Sequence, residues 1–150
     1  KTRLIPILGQ EGACELHKNM IMRLIRSLSS LQADIQIWTD VSAENRFFKG
    51  LGTPVMKQVG EGLGEKMSNA ITQGLATYEK VALIGTDLPE LDSIYLVNAF
   101  EKLQRSNIVI GPTLDGGFGL IATKKFKSSI FFIKQHNTVW TYLSFYFVST

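Results

Sequence analysis

Cys14, Ile21, Leu24, Ile25, Leu28 and Leu31 recur at spacings of three, four and seven, which gathers them on one stripe of a helix. The spacing predicts an amphipathic helix over residues 10–31, with Cys14 as a small buried thiol on its inner side. In "DIQIWTD", residues 34–40, the period changes to two and β-formers dominate, so a strand is expected, with Asp40, Ser42 and Asn45 supplying turn chemistry after it. The helical period returns over residues 65–78, where Met67, Ala70, Ile71, Gly74, Leu75 and Tyr78 share a face behind the glycines Gly60, Gly62 and Gly64. Residues 80–84 and 107–110 contain continuous apolar runs of the kind shown by strands buried on both faces, and a helix over about 92–104 separates them. "GFGLIATK", residues 117–124, reads as an additional strand.

Strands alternating with helices imply right-handed crossovers, hence a three-layer α/β/α domain with a mostly parallel sheet. A chain of 150 residues suits a single domain covering 1–150. In such a sheet the helix opening near Gln10 should follow a strand, while "KTRLIPILG" resembles the loop after one. The expectation is a first strand immediately upstream of Lys1.

Composition narrows the function less than the pattern does. Sixteen basic and thirteen acidic residues leave a net charge of +3 without a run of like charges, a weak bias toward an anionic ligand. Nucleic acid is not indicated, because Phe47-Phe48-Lys49 is too short to form a basic stripe with stacking aromatics and reads as a surface loop with one anchored ring. Cys14 is the only cysteine, so no intrachain disulfide forms and a cytoplasmic location is the default expectation. His17 and His136 lack any zinc-ligand spacing and read as ordinary residues. "VWTYLSFYFV", residues 139–148, falls short of the roughly 20 residues that span a bilayer, so no membrane is expected, and the stretch reads as core or as a contact in a homo-oligomer. No signal peptide is visible.

The chemistry is concentrated where strands stop. "GTDLPEL", residues 85–91, ends an apolar run on Gly85 and then offers Asp87, and "GPTLDGGFGLI", residues 111–121, repeats the arrangement with Asp115. Ligands of open α/β sheets bind beyond the carboxyl ends of the strands, so both carboxylates would share one crevice. Hard cations such as Mg²⁺ or Mn²⁺ take oxygen ligands, often one or two carboxylates completed by water and phosphate, and Asp87 is the first choice as ligand. Each aspartate alone reads better as turn chemistry, Asp87 before Pro89 and Asp115 beside Gly116 and Gly117. Lys1 and Arg3 change that balance. On a loop at the same end of the sheet, arginine grips phosphate with paired hydrogen bonds and lysine adds a mobile charge, a combination suited to pyrophosphate. The amides of Gly60, Gly62 and Gly64 can approach a ribose or phosphate at the following helix N-terminus, and Gln58 can meet a nucleobase edge. Neither the GxGxxG nor the GxxxxGK[ST] spacing is present.

In this order, "KTRLIPILG", "GEGLGEKM", "GTDLPEL" and "GPTLDGGFGLI" resemble the glycosyltransferase-A-like transferase family described as rSAM/selenodomain-associated transferase. The resemblance covers most of the chain. It implies a nucleotide-diphospho-sugar transferase fold, with a strand and short glycine-containing loop before the KTR segment. It further implies phosphate contacts from Lys1 and Arg3, a divalent metal on Asp87, and an acceptor or metal side lined by Asp115, Gly116 and Gly117. Lys66 stands where the family has arginine and keeps a cation on the nucleotide side, to which Gly85 is also assigned. Phe118 stands where the family has tyrosine and removes a hydroxyl from the acceptor side. The C-terminal family pattern is matched only loosely by "IKQHNTVW", from which no catalytic residue is carried over.

The implied activity is a metal-dependent transfer of a glycosyl group from a nucleotide diphospho-sugar to a small acceptor. Lys1, Arg3 and Asp115 would act at the reacting centre. The alternatives are a nucleotidyltransferase that uses a nucleoside triphosphate and releases pyrophosphate, similar to the guanylyltransferases acting on phospholactate or molybdopterin, and a nucleotide-binding protein without turnover.

Overall fold

The computed structural model describes residues 4–40, 44–132 and 145–149. In chain order the elements are α1 (Ile5–Leu28), β1 (Asp34–Thr39), α2 (Arg46–Lys49), β2 (Val55–Lys57), α3 (Leu63–Leu75), β3 (Val81–Gly85), α4 (Ser93–Lys102), β4 (Ile108–Pro112), β5 (Phe118–Thr123), a 3₁₀ turn (Ser128–Phe132) and β6 (Phe145–Ser149). The strands form one sheet in the order β2-β1-β6-β3-β5-β4.

Alternation along the strands sorts the core into two halves. Ile37, Ala82, Ile84, Leu120 and Ala122 pack with Ile21, Leu24 and Leu28 of α1 and Leu96, Ala99, Phe100 and Leu103 of α4. Trp38, Val81, Leu83 and Ile121 turn to the opposite face and meet Met67, Ala70 and Ile71 of α3. The period-2 geometry of a strand produces this division, and the result is the expected three-layer arrangement. α4 starts where the Asp92 carboxylate accepts from the Tyr95 amide at 2.8 Å, and Lys124 Nζ donates to the Leu103 carbonyl at its other end. Both partners suit the helix macrodipole.

The sheet is mixed, which corrects the mostly parallel expectation. Among adjacent strands only β1 and β2 pair in parallel; β6 runs antiparallel to both β1 and β3, and β5 antiparallel to both β3 and β4. A turn as short as residues 113–117 cannot make the crossover that parallel neighbours require, so β4 and β5 form a hairpin. β1, β2, β3 and β4 nevertheless share one direction. β6 joins the two halves, with Asp34–Ser149 and Val81–Ser149 as Cα partners at one end and Trp38–Phe145 and Gly85–Phe145 at the other.

Two local expectations change. Within α1, Gly9 has φ 69° and ψ 172°, so the regular helix runs from Gln10. Its buried stripe is Ala13, Ile21, Leu24 and Leu28, while Cys14 is exposed. One residue advances a helix by about 100°, enough to swing Cys14 off the face that Ala13 occupies. Phe47-Phe48-Lys49 belongs to α2, capped by Asn45 Oδ1, which accepts from the Phe47 amide at 3.0 Å. Phe48 is the buried ring. Of residues 139–148, those before Phe145 lie outside the described residues, and the rest enter β6 at the centre of the sheet. No helix among the described residues is long and apolar enough to cross a membrane.

Candidate functional site

The common direction of β1–β4 brings their carboxyl ends to one edge of the sheet, where the turns at Asp40, residues 58–62, residues 85–88 and residues 113–117 all emerge. This is the edge at which α/β sheets bind ligands.

At the end of β3, Thr86 is 1% exposed, and its Oγ1 lies 3.2 Å from Nε2 of His17 on α1. Asp87 is half-buried, and its carboxylate folds back over the strand end. A Cβ on Gly85 would stand 3.0 Å from Asp87 Oδ1 and 3.9 Å from the Gly119 carbonyl of β5. Leu88 then lies across β5 in a notch that exists only because residue 119 lacks a side chain: a Cβ there would stand 2.4 Å from Leu88 Cδ1. Leu88 packs on to the core shared by α1 and α4. Gly85 and Gly119 thus make room for the two consecutive side chains that shape this corner.

The hairpin between β4 and β5 carries Asp115. Its Oδ1 accepts from Thr113 Oγ1 at 2.5 Å and from the Gly117 amide at 3.2 Å, while Gly116 adopts φ 82°, a conformation that glycine takes without strain. One carboxylate oxygen therefore serves the turn. The Phe118 ring, expected on the acceptor side, packs against the core cluster of Trp38, Met67 and Ile71.

The loop from β2 to α3 is tightly tied. Gln58 is 6% exposed; its amide donates to the Thr39 carbonyl at 2.8 Å and its Nε2 to the Trp38 carbonyl at 2.9 Å, so the side chain closes the end of β1. Gly60 has φ 133°, and a Cβ on it would meet Glu65 Cβ at 2.8 Å and the Lys66 amide nitrogen at 2.9 Å. Glu65 Oε2 accepts from the Glu61 amide at 2.9 Å, Asn69 Nδ2 donates to the Val59 carbonyl at 2.8 Å, and Gly64 packs on Phe131. Gly62 stands extended at the N-cap of α3 with no side-chain cap, leaving the first-turn amides facing outward from the helix end. Lys66 Nζ reaches Asp40 Oδ2 at 3.6 Å and ties α3 to the end of β1.

The structure brings Asp87, Asp115, Gln58, Gly60, Gly62, Gly64, Lys66, Gly85, Gly116 and Gly117 to this one edge. Lys1, Arg3 and the whole of "IKQHNTVW", His136 included, lie outside the described residues. By sequence alone His17 reads as an ordinary residue and Asp40 as a turn former. His17 carries a legible signal, since it falls four residues after Ala13 and four before Ile21 on the inward stripe of α1.

Among the described residues no group of three His, Cys, Asp or Glu side chains is arranged to hold a metal ion. A cation shared between one protein carboxylate, diphosphate oxygens and water requires no such group. The half-buried Asp87 carboxylate at the open edge fits that kind of site, because its donors are all oxygen.

A family model described as "Uncharacterized protein conserved in bacteria (DUF2064)" matches residues 24–136. No curated protein matches the sequence. Among solved structures, the crystal structure of a "putative nucleotide-diphospho-sugar transferase" from Desulfovibrio desulfuricans G20 is similar, with a TM-score of 0.82 and 30% identity over 89% of this chain. The chain spans 62% of that protein's length.

Proposed function

The chain belongs to the DUF2064 family, and on that premise we propose that it is a metal-dependent transferase that moves a glycosyl group from a nucleotide diphospho-sugar to a small acceptor. The observation that carries this reading is the shared carboxyl edge, where the Asp87 corner, the tied 58–66 loop and the Asp115 hairpin open on the same side of the sheet. The similarity to the Desulfovibrio structure supports it.

In this reading Asp87 holds Mg²⁺ or Mn²⁺, and Gly85 keeps the strand end bare so that the carboxylate can lie over it. Lys1 and Arg3 grip the diphosphate, Lys66 adds charge, and the first-turn amides of α3, in the segment shaped by Gly60, Gly62 and Gly64, donate to a phosphate oxygen or a ribose hydroxyl. Gln58 contributes to the nucleoside side by fixing the loop, since its amide is occupied by the Trp38 carbonyl. The Asp115 carboxylate orients the acceptor hydroxyl or joins the metal, beside the bare backbone of Gly116 and Gly117. A bound divalent ion supplies neutralisation of the charge that grows on the departing diphosphate. Preorganised side chains and amides cost no reorganisation when that charge develops.

Removing a charge partner of this kind costs on the order of 3 kcal/mol, about a hundredfold in rate. Asp87→Ala is therefore expected to lower turnover at least that far in an assay of nucleoside diphosphate release from a panel of nucleotide sugars with Mn²⁺. Wild-type turnover and metal dependence in the variant would refute the assignment. Pyrophosphate release from a nucleoside triphosphate would identify nucleotidyl transfer instead, and binding without release of either product would identify a nucleotide-binding protein.

A further inference from the structure

We infer that His17 is a positioning residue for Asp87, acting through Thr86; the inference rests on the reading of Asp87 as the metal ligand. A half-buried imidazole interrupts an otherwise apolar stripe on α1, between Ala13 and Ile21. Taking such a group out of water costs free energy unless it is partnered, and one partner here is the hydroxyl of Thr86 at 3.2 Å. Thr86 is itself 1% exposed and sits directly between the last residue of β3 and Asp87.

The corner is consequently clamped on both sides of the carboxylate. Thr86 is tied to α1 by His17, and Leu88 is seated in the Gly119 notch of β5. With both neighbours fixed, the Asp87 backbone has little freedom, and its carboxylate stays over Gly85. Ligating side chains need supporting contacts of this kind, because a small error in placement is costly at a metal site. Packing alone does not demand the pair. Valine fits the volume of Thr86 and leucine approximates that of His17, and exchanging both partners of a buried hydrogen bond for apolar groups is commonly neutral or stabilising. The polar pair contributes geometry that an apolar pair would lack.

That distinction can be measured with Mn²⁺ alone, following the loss of the free-ion electron paramagnetic resonance signal alongside urea unfolding. The His17→Leu/Thr86→Val double variant is expected to unfold at or above the wild-type midpoint while binding Mn²⁺ about five- to tenfold more weakly. Thr86→Val alone should weaken binding to a similar extent, and it keeps the test available if the double variant does not fold. His17→Gln, whose Nε2 reaches the same region, should restore affinity to within about twofold of wild type. If Asp87→Ala abolishes Mn²⁺ binding but the double variant or Thr86→Val binds as tightly as wild type, the inference fails and the metal reading stands. If His17→Gln binds as weakly as the double variant, the hydrogen bond is not the agent and the inference fails. If Asp87→Ala binds as tightly as wild type, the metal reading fails and the inference falls with it.

Discussion

Gly85→Ala perturbs the Asp87 carboxylate without altering any charge. The added Cβ would stand 3.0 Å from Oδ1, whereas ordinary contact begins at 3.4 Å, so the carboxylate must retreat by about 0.4 Å. Mg²⁺ demands near-ideal octahedral geometry with bonds of about 2.0–2.1 Å, and it tolerates such a shift poorly. A misplacement of about 1 Å at a reacting centre can cost a hundredfold. For a shift smaller than half of that, a loss of about five- to tenfold is expected, or about 1 kcal/mol. Stability should hardly change. Gly85 does not occupy the left-handed region, and at such positions alanine gains about 0.4–1 kcal/mol through the unfolded chain, which offsets the crowding. The measurements are Mn²⁺ affinity by paramagnetic resonance and the urea midpoint of the same preparation. Unchanged affinity in the folded variant would refute the argument, since it would mean that the carboxylate at this corner is not the ligand whose position matters.

Gly60→Ala should destabilise the fold by about 2–4 kcal/mol, combining a strained positive φ with a clash against the Lys66 backbone, and should lower the melting temperature by roughly 6–12 °C; an unchanged calorimetric transition would refute the close packing of that loop. Asp115→Asn keeps the acceptor that closes the hairpin, so turnover should fall about tenfold with little loss of stability, whereas Asp115→Ala should lose a further ~1 kcal/mol in urea unfolding. Full activity of the asparagine variant would confine Asp115 to the turn. Lys66→Met removes an ion pair between partly exposed groups, worth under about 1 kcal/mol, so unfolding should hardly move while calorimetry shows weaker binding of nucleoside diphosphates. Unaltered binding would remove Lys66 from the nucleotide side.

What the sequence disclosed was local. The apolar run Val81–Ile84 marks a strand sandwiched between two helical layers, and its abrupt end at Gly85 marks an exit at the carboxyl edge of the sheet, so Asp87 could be singled out from neighbouring residues alone. The phase of α1 was harder. Counting apolar residues favours Cys14 and passes over His17, although the imidazole on the inward stripe meets a threonine just past the end of β3, a partner sixty-nine positions away. Gln58 looked like an available loop amide for the same reason, since nothing near it in sequence announces the Trp38 carbonyl. Strand direction also depends on distant partners. The Asp-Gly-Gly turn contained the evidence for a β4–β5 hairpin, but no local pattern could place β6 between β1 and β3.

That placement of β6 has a consequence for how the molecule is made. Among the described strands, β6 is the one that stitches the sheet together, pairing Ser149 with Asp34 on one flank and with Val81 on the other. A nascent chain that has not yet delivered residue 145 would hold two partial sheets with bare inner edges, β1 with β2 and β3 with β5 and β4. Such edges are templates for pairing with neighbouring polypeptides, and closing them late is slow because the partners are distant in sequence. Yield during expression should accordingly depend on how quickly residues 145–149 find their slot.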